Sequence, residues 1–228
     1  AGALYGRGRK VKISPFKYAD FRLMFSNLTE EEKVITYSVF GGTPYYLEKV
    51  KKIDGDILKK IFDLLLKKGA ELVEEPQNLL EYENFRIHAT YNSILQAVAA
   101  GKENAKEIQD ITGISTNALS AYIRRLDILL ELLERKDPVL GKERLGRYRL
   151  KDNFFKFWFK FIFPNQTALN LGNTKLVEEN IRANLNSYVG RVFEDICREF
   201  LILNLNKELD GYLLDFEDIG SWWNRSGE

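Results

Sequence analysis

The 228-residue chain carries 34 Lys and Arg against 33 Asp and Glu and is 45% hydrophobic, so it can bury a substantial core divided over two or three units while remaining nearly neutral overall. It has no run of eighteen apolar residues and no charged-then-apolar leader, so neither membrane insertion nor secretion is supported and a cytoplasmic location is expected. A single Cys, Cys197, excludes an internal disulfide, and with His88 as the only His the chain cannot assemble a Cys/His zinc site.

In chain order, Lys10 to Ile13 alternates like a short strand, and Ser14-Pro15-Phe16 breaks it before a short helix, which reads as the edge of something larger over residues 1–25. Thr29-Glu30-Glu31-Glu32 predicts a capping box opening a helix that ends at Gly41-Gly42, and Thr43-Pro44 starts another. Asp56 is placed to cap a helix from Ile57 to Lys68 that stops at Gly69. Further helical patterns follow at 70–75, 79–83 and 91–100, making residues 26–88 an all-helical bundle.

The stretch from Glu103 to Leu150 carries the clearest functional pattern. Lys106 to Ile111 reads as a first helix, Thr112-Gly113-Ile114 as a turn, and Ser115 as the cap of a second helix whose Leu119, Ile123, Leu126 and Leu130 recur at three and four residues. That spacing leaves Thr116, Asn117, Ser120 and Arg124 on the outer face, where small polar groups and a guanidinium suit groove edges and phosphates. Pro138, Gly141 and Gly146 with the alternating Arg147 to Leu150 then suggest a hairpin wing. Between Arg135 and Lys151 there are seven basic residues against two acids, and Lys142, Arg144, Arg147 and Arg149 are the candidate phosphate contacts. Residues 89–151 are therefore expected to form a winged helix-turn-helix, a module that serves either as a DNA reader or as a protein-docking unit.

The third stretch, 152–228, opens with Phe154, Phe155, Phe157, Trp158, Phe159, Phe161, Ile162 and Phe163, a helix ended by Pro164 and apolar on nearly every face. Such a segment predicts burial, with base stacking as the alternative. A helix from about Leu185 to Leu205 follows, and then strand-like segments at 212–216 and 219–223 whose partners are expected beyond Glu228.

Leu4-Tyr5-Gly6-Arg7 with the strand after it, Gly42-Thr43-Pro44-Tyr45-Tyr46-Leu47, and Gly146 to Asp152 followed by Phe154 and Phe157 to Phe159 stand in an order that resembles the archaeal-type ATPases related to the signal-transduction ATPases with numerous domains. The likeness spans almost the whole chain. It implies the end of an AAA-type nucleotide-binding core, a helical lid, a winged helix, and the start of a domain similar to the restriction-endonuclease-like nucleases. By that resemblance Arg7 is expected to approach phosphate, Gly42, Thr43 and Pro44 to form the lid turn against adenine, and Glu194 to be the helix acid of a nuclease site. The phosphate loop would lie upstream, ATP and Mg²⁺ would be cofactors of the intact protein, and the other nuclease acid and Lys would lie past Glu228, leaving no complete metal site here.

The expected fold is thus mainly α: a helical lid bundle plus a winged helix-turn-helix, followed by the start of an α/β nuclease-like domain. The expected partners are DNA, the missing N-terminal ATPase core and a further copy of the chain in a homo-oligomer. A non-enzymatic winged-helix regulator or protein-docking scaffold is the alternative. Arg7 as an exposed strand-end cation, Glu194 as a solvent-facing helix residue and His88 as a structural residue stay open beside the functional readings.

Overall fold

The computed structural model describes residues 13–82, 88–128, 130–140 and 145–223. The described chain is mainly helical, and no helix in it is long and apolar enough to cross a membrane. Lys10 to Lys12 lie outside the described residues, and Ile13 is exposed and not in a strand.

The early helices begin where local capping chemistry places them. After α1 (Tyr18–Met24), α2 (Glu30–Phe40) opens with the Thr29/Glu32 capping box, in which each side chain accepts from the other residue's backbone N–H. It closes on Gly41, whose positive φ of 66° is available to glycine without strain. Helix α3 (Pro44–Lys51) has Pro at its first position, where no backbone donor is needed. Asp56 caps α4 (Ile57–Ile61) through the Lys59 N–H at 2.8 Å, and the helix continues as one π-helical turn, Phe62–Leu66. It stops short of Lys68 because Lys67 turns extended. The helix expected over 70–75 is instead a series of turns, and α5 begins later, at Glu75–Tyr82, with Pro76 compatible only with its first turn.

Next come α6 (His88–Ala99), α7 (Ala105–Thr112), α8 (Thr116–Ile128) and the antiparallel pair β1 (Leu133–Lys136) and β2 (Arg147–Leu150). Leu133 pairs with Leu150 and both are fully buried, so the hairpin is docked on the core through its open end. Asp152 then caps α9 (Asn153–Phe157) by accepting from the Phe155 N–H at 3.0 Å. The chain passes through a π-helical turn (Trp158–Ile162) and a short 3₁₀ turn containing Pro164, followed by α10 (Gln166–Asn170) and α11 (Thr174–Leu203). Helix α11 begins well before the expected Leu185. Its start carries no side-chain cap, and in its opening turns only Val177 and Ile181 are buried, Leu176 being apolar but exposed.

The aromatic segment is a core element: Phe154, Phe155, Phe157, Trp158, Phe159 and Phe161 are all at most 2% exposed. They join α2, α6 and α11 in one apolar cluster running from Phe21 to Ile196, which excludes the base-stacking alternative for these rings. The Trp158 indole N–H donates to the Val73 carbonyl at 2.8 Å, so the largest ring enters the core with its polar edge satisfied.

The C-terminal strands differ from expectation. Tyr212–Leu213 (β4) pairs only with Glu208–Leu209 (β3), and Ile219 to Trp223 runs extended without a ladder. That last stretch packs back on the β1–β2 region instead: Val139 N–H donates to Ser221 O at 3.1 Å, and the Trp223 indole donates to Leu145 O at 2.7 Å. Among the described residues the only sheets are these two hairpins.

Tyr188 of α11 ties three helices together, with its buried hydroxyl 2.9 Å from Ser38 O and 3.0 Å from Asn153 O. Replacing Tyr188 by Phe removes the one O–H donor shared between these two carbonyls at a buried joint, an expected loss of about 1–3 kcal/mol. Urea unfolding of the two proteins measures it, and an unchanged midpoint would show that the hydroxyl holds nothing.

Candidate functional site

Helices α7 and α8 are held by a second capping box, with Glu107 N–H donating to Asn104 Oδ1 at 2.9 Å, and by Gly113 in the left-handed conformation between them. Leu119, Ile123 and Leu126 of α8 are buried, and Thr116, Asn117, Ser120 and Arg124 are all exposed. Two of the four are already engaged: Gln109 Nε2 donates to the Thr116 hydroxyl at 2.8 Å, and the Ser120 hydroxyl donates to the Thr116 carbonyl at 3.1 Å. Asn117 and Arg124 have no hydrogen bond or ion pair among the described residues, so their polar groups face solvent uncommitted.

The basic strip is less free than its sequence suggests. Arg147 and Arg149 turn inward to share Glu103, at 3.7 and 3.6 Å, and the Arg147 guanidinium stacks 4.7 Å over the Trp223 ring. Arg135 pairs with Asp137, Lys136 with Glu134 and Asp195, and Lys151 with Glu131. Lys142 and Arg144 lie outside the described residues, as does Arg7. Glu103 and Trp223 were not singled out as site residues, because one precedes α7 and the other stands at the far C-terminus; no spacing rule links either to β2.

Arg147 and Arg149 form one wall of a cleft of about 310 Å³, with Gly101 and Glu103 on one side and Lys156, Lys160, Arg191 and Glu194 on the other. Asp195 separates this cleft from a second groove lined by Lys136, Asn153 and Arg198. The Asp195 carboxylate meets Arg198 at 2.6 Å, Lys136 at 3.6 Å and Lys156 at 3.8 Å. Burial alone would push the Asp195 carboxyl up, but the charges of Lys156, Lys136 and Arg198 outweigh it and hold the group below the usual carboxylate range. Burial pulls both Lys156 and Lys160 below the usual lysine range, and Arg191 adds repulsion at Lys160. Glu194 is exposed at the cleft and has no ion-pair partner among the described residues. No group of three His, Cys, Asp or Glu that could hold a metal occurs among those residues.

The Gly42-Thr43-Pro44 turn packs on the protein itself. Phe16 N–H donates to Gly42 O at 2.9 Å, Gly41 lies against the side chains of Asp152 and Asn153, and the Thr43 hydroxyl is 3.5 Å from Asp152 Oδ2. Gly42 is buried and Pro44 exposed, and neither lines the two cavities described above.

Among known proteins, the profile of the family DUF234, described as archaeal and bacterial proteins of unknown function, matches residues 158–228. That stretch begins at Trp158, inside the aromatic segment, and takes in α11 with Arg191, Glu194 and Asp195. An uncharacterised protein of Methanocaldococcus jannaschii is 39% identical over 228 residues, covering 99% of this chain and 50% of the relative. The chain therefore spans about half the length of that curated relative. No solved structure matches.

Two outcomes follow from this geometry. A Cβ on residue 42 would overlap the Phe16 carbonyl oxygen, so Gly42→Ala should destabilise the fold by about 1–3 kcal/mol; a melting temperature equal to wild type would refute the close approach. Because the folded Asp195 carboxyl lies below its unfolded value, its stabilising contribution is complete above the ordinary carboxylate range near about pH 4 and is lost as pH falls through the folded value. The gap in urea midpoint between wild type and Asp195→Asn should therefore shrink between about pH 6 and about pH 3, and a constant gap would count against the ion-pair cluster.

Proposed function

We propose that this chain is the C-terminal portion of a nucleotide-switched ATPase of the archaeal type, in which α6 to α8 and the β1–β2 hairpin form a winged helix that engages duplex DNA. The observation that carries the DNA reading is the outer face of α8, where Asn117 and Arg124 are exposed and uncommitted on a helix whose opposite face is locked into the core. An amide and a guanidinium on one helix face are the groups that bond adenine and guanine edges in a major groove. Arg147 then acts less as a contact to DNA phosphates than as a strut of the hairpin, since Glu103 and Trp223 already hold it, and Arg149 lines the cleft against α11 rather than the outer face of α8.

The packing also supplies a route from lid to wing. Asp152 follows β2 after one residue and touches both Gly41 and Thr43, while Asn153 Nδ2 donates to Tyr37 O of α2 at 3.3 Å. A nucleotide held between the upstream core and the Gly42-Thr43-Pro44 turn would bear on the residues that anchor the hairpin, so a change of lid angle moves the α7–α8 unit with it. ATP with Mg²⁺ supplies the phosphoryl chemistry in that core. The residues described here supply the lid turn and its link to the hairpin. Glu194 stands in this reading as the helix acid of a nuclease-like domain that needs further acids to hold a metal.

One observation favours a second reading, a protein-docking winged helix: the cations of the hairpin region are largely paired within the chain, which lowers the charge left for phosphates.

Duplex DNA binding by this chain across a salt series tests the choice. Arg124→Ala and Asn117→Ala should each weaken binding by about tenfold, corresponding to about 1–3 kcal/mol per lost base contact, whereas Arg147→Ala with Arg149→Ala should change it less. Absence of binding at low salt would overturn the DNA role in favour of docking.

A further inference from the structure

We propose that the cleft between β2, the aromatic segment and α11 binds a phosphate-bearing small molecule, with the phosphate held by Lys160, Arg191 and Arg149. This inference is independent of the DNA reading, because none of Thr116, Asn117, Ser120 and Arg124 lines the cleft.

Three features of the charge distribution carry it. Lys160 and Arg191 face the same recess close enough to repel, and neither has a carboxylate within ion-pair distance among the described residues. Two cations without a carboxylate partner on the lining of one recess, Lys160 partly buried and Arg191 exposed, offer charge that a bound anion would neutralise. Arg149 Nε is buried in the same cleft without a hydrogen-bond acceptor: Glu103 lies 3.6 Å away, beyond bonding distance, and its charge is shared with Arg147. A buried donor with no acceptor is costly to leave unmade, and a phosphate oxygen would complete it. Finally, the three groups line one cleft from three separate elements, so an oxyanion seated there is met by donors from more than one element.

The surroundings restrict the ligand's size. The cleft of about 310 Å³ suits a molecule of pyrophosphate or small phosphoester dimensions. Glu103, Glu194 and Asp195 also line it, and their charges oppose an extended polyanionic strand, which favours a free small molecule over a nucleic-acid backbone. Because Arg149 belongs to β2, Lys160 to the aromatic segment and Arg191 to α11, an occupant would fasten the hairpin to the long helix, so its binding is a means of fixing the hairpin's position.

The test uses the whole chain and inorganic pyrophosphate, with sodium chloride at matched ionic strength as the reference. Pyrophosphate should raise the melting temperature above the salt reference. By calorimetry, Arg191→Gln and Lys160→Gln should each weaken its binding by about tenfold or more, while their ligand-free melting temperatures stay close to wild type. Arg124→Ala should bind pyrophosphate as wild type does, which separates this site from the DNA face. No stabilisation beyond the salt reference, or equal affinity in the two cleft variants, would overturn the proposal. Competitive displacement of pyrophosphate by duplex DNA would overturn the small-molecule assignment and make the cleft a seat for backbone phosphate.

Discussion

The burial of Phe154 to Ile162 is the constraint to which the rest of the molecule conforms. A helical segment that is apolar almost all round must be enclosed on almost all sides, and α2, α6 and α11 supply the enclosure, with ring-to-ring contacts such as Phe157 to Phe161 at 4.9 Å filling the interior. Only Lys156 and Lys160 interrupt the apolar run, four residues apart, and they emerge on the one side left wet. That side is where Asp195 and Arg191 of α11 stand. The polar cleft is thus a consequence of the core: closing the other faces of the aromatic segment leaves its two lysines no place but the seam between β2 and α11.

Asp152 makes the same constraint reach the other elements. It caps the aromatic segment, follows one residue after β2 and abuts the Gly41 to Thr43 turn, so three structural transitions meet at one carboxylate. Burial pushes this carboxyl above its usual range even though the Phe155 N–H favours the charged form. The cost is tolerated where a cap must be formed inside the protein. The arrangement also sets the Gly41 to Thr43 turn against the residue that leads out of the hairpin, so the coupling proposed between nucleotide and wing needs no long chain of intermediaries.

Legibility from sequence followed the range of the interactions involved. The starts of α2, α3 and α4 were readable because Thr29, Pro44 and Asp56 act within one turn of themselves. The inward and outward faces of α8 were readable because periodicity is also local. The early start of α11 was not, since no cap marks Asn173 and only tertiary burial of Val177 and Ile181 commits those turns to helix. The end of the helix after Asp56 was misjudged for a related reason: the π-helical turn at Phe62–Leu66 serves the packing of Leu64, Leu65 and Leu66, all buried. Ile219 to Trp223 looks like a strand segment, yet Trp223 finds its acceptor at Leu145, across a sequence distance that no window scan covers.

Charge is where local reading fails most, and the failure has a direction. Counting cations in a window treats each as free, while folding brings acids from outside the window, here Glu103 to Arg147 and Arg149, and Asp195 to Lys136. Pairing lowers the charge offered to phosphates on the hairpin without changing its composition. The opposite error occurs at Lys160 and Arg191, thirty-one positions apart and each unremarkable alone, which folding brings onto the lining of one cleft with no ion-pair partner for either among the described residues. The field that a ligand meets is therefore set by which charges remain unbalanced after packing. Among the described residues, the cleft and Arg124 on the open face of α8 carry cations without an acid partner, while the described cations of the hairpin strip are paired.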